Sequence, residues 1–326
     1  MAGWLRLRLW RGPAIGAGYT GLMHTTTPAP ASAAPTPGSS ATPSTIAFIG
    51  GGNMASALIG GLVRAGHPPG RILVIDPGQA QRSALQASFG VRTAASADAL
   101  ASSAAPADAT PAGLGLAAAD LVVWAVKPQL FAQAAAPCAA HVAGALQLSV
   151  MAGIRSSAIA RATGAGAIVR SMPNTPALIG RGIAGLFATP AVSAAQRALV
   201  AQVLAPTGQL LWVDAEADLD AVTALSGSGP AYVFYVIEAM VAAATAMGLS
   251  ADQGRQLALA TLDGATALAA ASDEPIAVLR ERVTSKGGTT YAALQSLAAA
   301  GVGPALVAAI RAAQARAAEL GNEFAG

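Results

Sequence analysis

Charge is scarce in this chain: 11% of its 326 residues are Asp, Glu, Lys or Arg, and Lys127 and Lys286 are its only lysines. Arg6, Arg8 and Arg11 near the N-terminus account for the formal net charge of +3, leaving a neutral body with no basic face for nucleic acid. A single cysteine, Cys138, excludes an intramolecular disulfide framework and a cysteine-rich metal site, and fits a reducing, cytoplasmic setting. The histidines His24, His67 and His141 lack the spacing of ligands, so no metal is expected. Mean hydropathy is +0.52, but alanine inflates it. The longest apolar run, 231–247, contains Glu238 and is too short to span a bilayer comfortably, so no membrane span is expected.

What is present is ample apolar material, 54% of residues, enough for a sizeable core in two domains. A nearly uncharged helix such as 231–247 calls for burial on all sides, which points to a homo-oligomer. Residues 1–44 run from arginines into Pro, Ala, Ser and Thr with no acidic residue, a composition that predicts disorder. It resembles an organelle transit peptide, and it equally fits upstream sequence ahead of a later start such as Met23; a non-functional extension is expected.

From Thr45 short apolar segments alternate with helical ones. Strands are predicted over 45–50, 71–76, 91–93, 121–126, 146–151, 167–171, 183–188 and 210–213, with helices over 53–65 and 79–89. This pattern predicts an α/β fold, a Rossmann-type doubly wound domain with a mostly parallel sheet over 45–213. An Ala/Ser/Pro-rich stretch, 96–119, reads as a surface elaboration. From about Ser226 onward strands disappear: Pro230 sits at a helix start behind Ser228, and Ser250 with Gln253 forms a capping box. The second domain, 214–326, is therefore all-helical.

The first strand runs into Gly50-Gly51-Gly52-Asn53-Met54-Ala55, a G-x-G-x-x-A turn between a strand and a helix. Gly50 makes the turn, Gly52 admits a pyrophosphate and Ala55 permits close packing, so a dinucleotide is expected there. Asp76, ending the second strand, suits an adenosine ribose and argues for NADH, whereas Arg82 suits a 2′-phosphate; NADPH or NADH both remain open. Val126, Lys127 and Pro128 end another strand at the same edge, Lys127 either contacting a ligand or capping the strand. Asn174, in Ser171-Met172-Pro173-Asn174-Thr175-Pro176, either approaches the nicotinamide or shapes a turn.

A second loop, Ser285-Lys286-Gly287-Gly288-Thr289-Thr290, combines hydroxyls, a cation and two glycines before a helix predicted to begin at Tyr291. Such a loop suits a carboxylate or phosphate, unless Thr289 or Thr290 merely caps the helix. Alcohol oxidation needs a His or Lys base, which this chain scarcely offers. An imine already protonated needs chiefly positioning and a dry pocket, so an imine carrying a carboxylate is the better substrate class.

Phe48 to Met54, Ala125 to Gln129, Met172 to Leu178, Leu225 to Tyr232 and Val283 to Thr290 resemble, in order and spacing, the pyrroline-5-carboxylate reductases over 45 to about 320. The resemblance implies NAD(P)H-dependent reduction of the C=N bond of Δ1-pyrroline-5-carboxylate to L-proline, the last step of proline synthesis. It also implies a carboxylate-binding loop from Ser285 to Thr290 with Thr290 near the ring nitrogen, and a weaker substrate contact at Thr223. The partner it implies is a second copy, with interlocked helical domains and larger assemblies of dimers. Lys286 stands where the family often has proline, and 1–44 and 96–119 have no counterpart. A β-hydroxyacid dehydrogenase would show a lysine within a later helix, and none follows Lys286. A nucleotide-sensing binding protein on the same scaffold would leave the Thr/Gly loop unexplained.

Overall fold

The computed structural model describes residues 43–97 and 115–324; the expectations for residues 1–42 and for most of 96–119 lie outside them. Eight strands, β1 (Ile46–Ile49), β2 (Ile72–Ile75), β3 (Arg92–Ala94), β4 (Leu121–Trp124), β5 (Leu146–Ser149), β6 (Ile168–Met172), β7 (Gly182–Ala188) and β8 (Gly208–Trp212), form one sheet. Their order is β3-β2-β1-β4-β5-β6-β7-β8. All neighbours are parallel except β6 and β7, whose short connection allows an antiparallel return. The central strands β1, β2 and β4 are buried along their whole length, as expected of strands covered on both faces.

One face carries α1 (Asn53–Arg64), α2 (Gln79–Phe89) and α6 (Ala194–Leu204); the other carries α3 (Phe131–Ala135), α4 (Ala139–Val142) and α5 (Ser156–Thr163). On the first face Leu58, Ile59, Leu62, Val200 and Leu204 pack over the β-branched strands. On the second, Trp124 meets Phe131 edge to face with centroids 5.2 Å apart. The Trp124 indole N–H donates to Gln147 Oε1 at 2.8 Å, so the buried polar tip is satisfied. The strand preceded by the 96–119 stretch is reached through a short 3-10 turn, Leu116–Ala118.

The helical half begins earlier than its sequence suggests. α7 (Asp218–Val222) passes through a π turn, Thr223–Gly227, directly into α8 (Gly229–Ala246). There follow α9 (Ala251–Ala270), α10 (Ile276–Arg282), α11 (Thr289–Ala299) and α12 (Val302–Glu323). The Ser250–Gln253 capping box is formed in both directions. α8 and α9 approach closely because Gly254 lacks a Cβ, whose position is 2.8 Å from Ala244 Cβ. By length and composition Asp218–Ala246 is apolar enough to cross a membrane, and α11 with α12, bent by 53°, passes the same test as a pair.

Candidate active site

The site is built first by β1, whose end must turn sharply into α1. Gly50 adopts φ +95°, and its N–H donates to Ile75 O at 2.8 Å. A Cβ there would lie 2.7 Å from Ala125 O, so glycine is required by conformation and by space. Gly52 differs: its φ of −64° suits any residue, and nothing lies within 4 Å of its Cβ position. What glycine provides there is an open cradle. Gly52 is also the N-cap of α1 and supplies no side-chain cap, leaving first-turn amides and the positive helix end for an anion. Ala55 is buried and lets α1 lie against the sheet.

This turn opens onto a cleft of about 500 Å³ lined by Gly50, Gly52, Asp76, Val126 and Lys127, with Ile49, Ile75, Pro77, Ala125, Leu130 and Cys138 among its further walls. The cleft lies where β1 is flanked by β2 and β4 and the strand order reverses, the position where doubly wound sheets bind ligands. A dinucleotide fits these residues, since backbone amides, an open glycine and a mostly apolar wall meet in one place. Of the other residues expected here, Asn53 is exposed beside the turn and Met54 packs against the core. Pro128 starts a 3-10 turn just beyond Lys127.

Asp76 and Arg82 are both engaged within the protein. The Asp76 carboxylate accepts Gly51 N–H and Gly78 N–H, each at 2.8 Å. The Arg82 guanidinium donates to the carbonyls of Asp76 at 2.6 Å and Pro77 at 2.8 Å, and to Gln79 Oε1. Both residues pin the β2–α2 turn, and Asp76 at the same time lines the cleft.

Asn174 does not line the cleft, and it links the two halves. Its Oδ1 accepts Ile183 N–H at 3.0 Å and its Nδ2 donates to Ser226 O at 3.2 Å. Two motifs separate in sequence, at 171–176 and 225–232, thus meet. In the π turn Ser228 N–H donates to Thr223 O at 2.8 Å, and the Thr223 hydroxyl donates to Leu219 O at 2.7 Å. A Cβ on Gly227 would lie 2.6 Å from Met172 Cε, so the methionine methyl packs directly on the glycine backbone. π turns often mark functional sites because they re-aim backbone and side chains within a helix.

The seam also holds charges that sequence reasoning missed. Arg170, 4% exposed, pairs with Glu216 at 2.9 Å, and Arg155 pairs with Asp220 at 2.7 Å. Glu216 also accepts Ser156 N–H at 2.6 Å and Ser156 O–H at 2.8 Å. Burial pushes the Glu216 carboxyl up, but the Ser156 donors and the Arg170 guanidinium outweigh it and hold it below its ordinary value. Burial lowers Arg170, with Glu216 opposing. The one available signal was the rarity of charge, which makes each charged residue next to a predicted strand or helix end worth inspecting.

In the second loop Gly287 takes φ +75° and Gly288 N–H donates to Ser285 O at 3.0 Å. Helix α11 starts at Thr289, two residues before expectation, with Gly288 as an extended N-cap and no side-chain cap. Neither Thr289 nor Thr290 is the cap. Thr290 is half-buried, whereas Ser285, Lys286 and Gly287 are exposed. None of these residues, nor Thr223, lines the cleft.

Comparison with known proteins bears on both halves. Residues 216–320 match the family model for pyrroline-5-carboxylate reductase dimerisation, and residues 45–153 match the one described as NADP oxidoreductase coenzyme F420-dependent. A pyrroline-5-carboxylate reductase of Pseudomonas aeruginosa is 43% identical over 86% of this chain and 97% of its own length. The chain belongs to the pyrroline-5-carboxylate reductase family. An Arabidopsis thaliana relative of the same name is 32% identical over 84% of this chain and 95% of its own. Among solved structures, the Coxiella burnetii pyrroline-5-carboxylate reductase superposes with a TM-score of 0.76 at 33% identity, covering 86% of this chain and 99% of that one. A Plasmodium falciparum pyrroline carboxylate reductase with NADP bound gives 0.72 at 26%, covering 85% and 98%.

Proposed function

We propose that this protein reduces Δ1-pyrroline-5-carboxylate to L-proline with NADPH or NADH, the last step of proline biosynthesis. The observation that carries this reading is a repeated device: α1 and α11, one in each half, both begin at a glycine N-cap with no side-chain cap. Each presents amides and a positive helix end to an anion. One anion is the pyrophosphate of the dinucleotide; the other is the carboxylate of the substrate.

Gly50, Gly52, Asn53 and Met54 receive the pyrophosphate through their backbone, and Val126, Lys127 and Pro128 border the path toward the nicotinamide. The bound nicotinamide supplies the hydride. Ser285, Lys286, Gly287, Gly288 and Thr289 hold the substrate carboxylate, and the Thr290 hydroxyl stands at the ring nitrogen, fixing the plane of the protonated imine. Thr223 and Asn174 shape the floor between the halves, Asn174 bracing the π turn through Ser226 O. No base is required, because the imine takes its proton from water before reduction.

The division falls at 213/214, between a Rossmann-type domain and a helical domain. The exposed apolar faces of α8 and α9 meet those of a second copy rather than lipid: Asp218, Asp220 and Glu238 lie within the stretch long enough to span, an expensive placement in hydrocarbon. The reading takes in an interlocked dimer in the cytoplasm, able to join into larger assemblies of dimers, with no nucleic acid and no membrane. The test is oxidation of NADH and NADPH by the purified dimer with Δ1-pyrroline-5-carboxylate. No oxidation by folded dimer with either cofactor would refute the assignment.

A further inference from the structure

We propose that Gln81 is a positioning residue for the dinucleotide, acting through the Gly51 peptide; the inference rests on the cofactor reading of the cleft. Three successive glycines leave the Gly51–Gly52 peptide without side chains to restrain it, so its plane can flip at little steric cost. A flipped peptide would turn a carbonyl oxygen, rather than an N–H, toward the pyrophosphate.

The structure holds this peptide from α2. Gln81 Nε2 donates to Gly51 O, while in the preceding peptide Gly51 N–H donates to Asp76 Oδ2, just past the end of β2, at 2.8 Å. The Ser56 hydroxyl adds a long contact to Gly51 O at 3.4 Å. In a trans peptide the C=O and the following N–H point in opposite directions. With Gly51 O held toward Gln81, Gly52 N–H points away from α2. α2 packs directly on this backbone: a Cβ on buried Gly51 would lie 2.7 Å from Leu85 Cδ1 and 3.3 Å from Gln81 Cγ. Gln81 itself does not line the cleft, so its effect on a ligand passes through Gly51.

The test is a set of variants measured for NADH and NADPH affinity by fluorescence titration, with steady-state kinetics and melting temperature on the same samples. Gln81→Leu keeps the bulk and removes the donor; it should weaken both cofactors by the same factor, about three- to tenfold. The kcat at saturating cofactor, the KM for the pyrroline and the melting temperature should not move. Gln81→Glu sets a carboxylate against the Gly51 carbonyl, so it should bind more weakly still at neutral pH. It should recover as the pH is lowered through the carboxylate range, where a protonated carboxyl donates again.

Unchanged affinity in folded Gln81→Leu overturns the proposal. A change in the NADH-to-NADPH ratio overturns it too, since that would mean direct contact with the adenosine end. A loss of melting temperature together with kcat would make the role merely structural, also against it. Gly52→Val serves as the control: if it abolishes binding while Gln81→Leu does nothing, only this proposal falls, and if it too binds normally, the cofactor reading of the cleft falls with it.

Discussion

The two halves of this protein treat their apolar residues in opposite ways. In the sheet half, helices on both faces seal two cores in which Phe48, Ile72, Leu121 and Trp124 are wholly buried. In the helical half, the buried positions of α8, α9 and α12 are the small residues Ala244, Gly254, Ala258, Ala317 and Gly321. The large ones face outward: Tyr235 is 74% and Met247 76% exposed. Apolar surface of this extent on one side of a molecule marks an interface. The sheet half thus carries its own cores and binds the cofactor, while the helical half leaves its large side chains for another copy.

The sharpest way to break this contrast is to disable one half alone. Gly52→Val fills the cradle above the first turn of α1 without straining the backbone, because φ is ordinary and the Cβ position is open. Dinucleotide binding should vanish in a titration while the oligomeric state and melting curve stay as in wild type. A variant that still binds NADH and NADPH normally would remove the cofactor from this turn.

The converse variant is Tyr235→Asp, which places a carboxylate on the exposed face of α8. If that face is the dimer interface, the unpaired charge should weaken dimerisation by roughly 3–5 kcal/mol, a few hundred- to a few thousandfold in dissociation constant. Sedimentation should show monomers that still bind the cofactor but do not turn over. A stable dimer of this variant would place the interface elsewhere.

The sheet half was legible in sequence because its signals are local. Gly50 and Gly52 reveal the turn, and the runs at Ile46, Ile72 and Leu121 reveal buried strands to within one or two residues. Longer-range features were not. The π turn at Thr223 lies ahead of the helix start expected at Pro230, and the bond from Ser228 N–H to Thr223 O continues α7 into α8. Asn174, at a strand end, offered a nicotinamide contact or a turn role; its bond to Ser226, 52 residues away, could not be read locally. The pairs Arg170–Glu216 and Arg155–Asp220 span similar separations and have no local signature.

Thr290→Ala sharpens the comparison at the loop of the helical half. Because Gly288 caps α11, losing this hydroxyl should leave the melting temperature nearly unchanged. Loss of a hydrogen bond to bound substrate should cost roughly 1 to 3 kcal/mol, about five- to 150-fold in kcat/KM, with cofactor affinity intact. Competitive inhibition by L-proline should weaken in parallel. Reduced stability with unaltered substrate kinetics would make Thr290 a helix residue and nothing more.

The smallest expected effect tests the seam that joins the halves. Glu216 has a folded pKa below its ordinary 4.5, so its contribution to stability is fully present at neutral pH and is lost as pH falls through the carboxylate range toward that lower value. Glu216→Gln leaves Arg170 buried without its counter-charge. A fully buried pair broken in this way would cost about 3–5 kcal/mol; with the Glu216 side chain 23% exposed, we expect roughly 1–3 kcal/mol at neutral pH. In acid the wild-type carboxyl is itself neutral, so the two proteins should converge. Urea unfolding at neutral and acid pH, at one protein concentration, measures the gap. A gap that stays constant with pH would show that the Glu216 charge does not hold the halves together, and that its contacts with Ser156 act through shape alone.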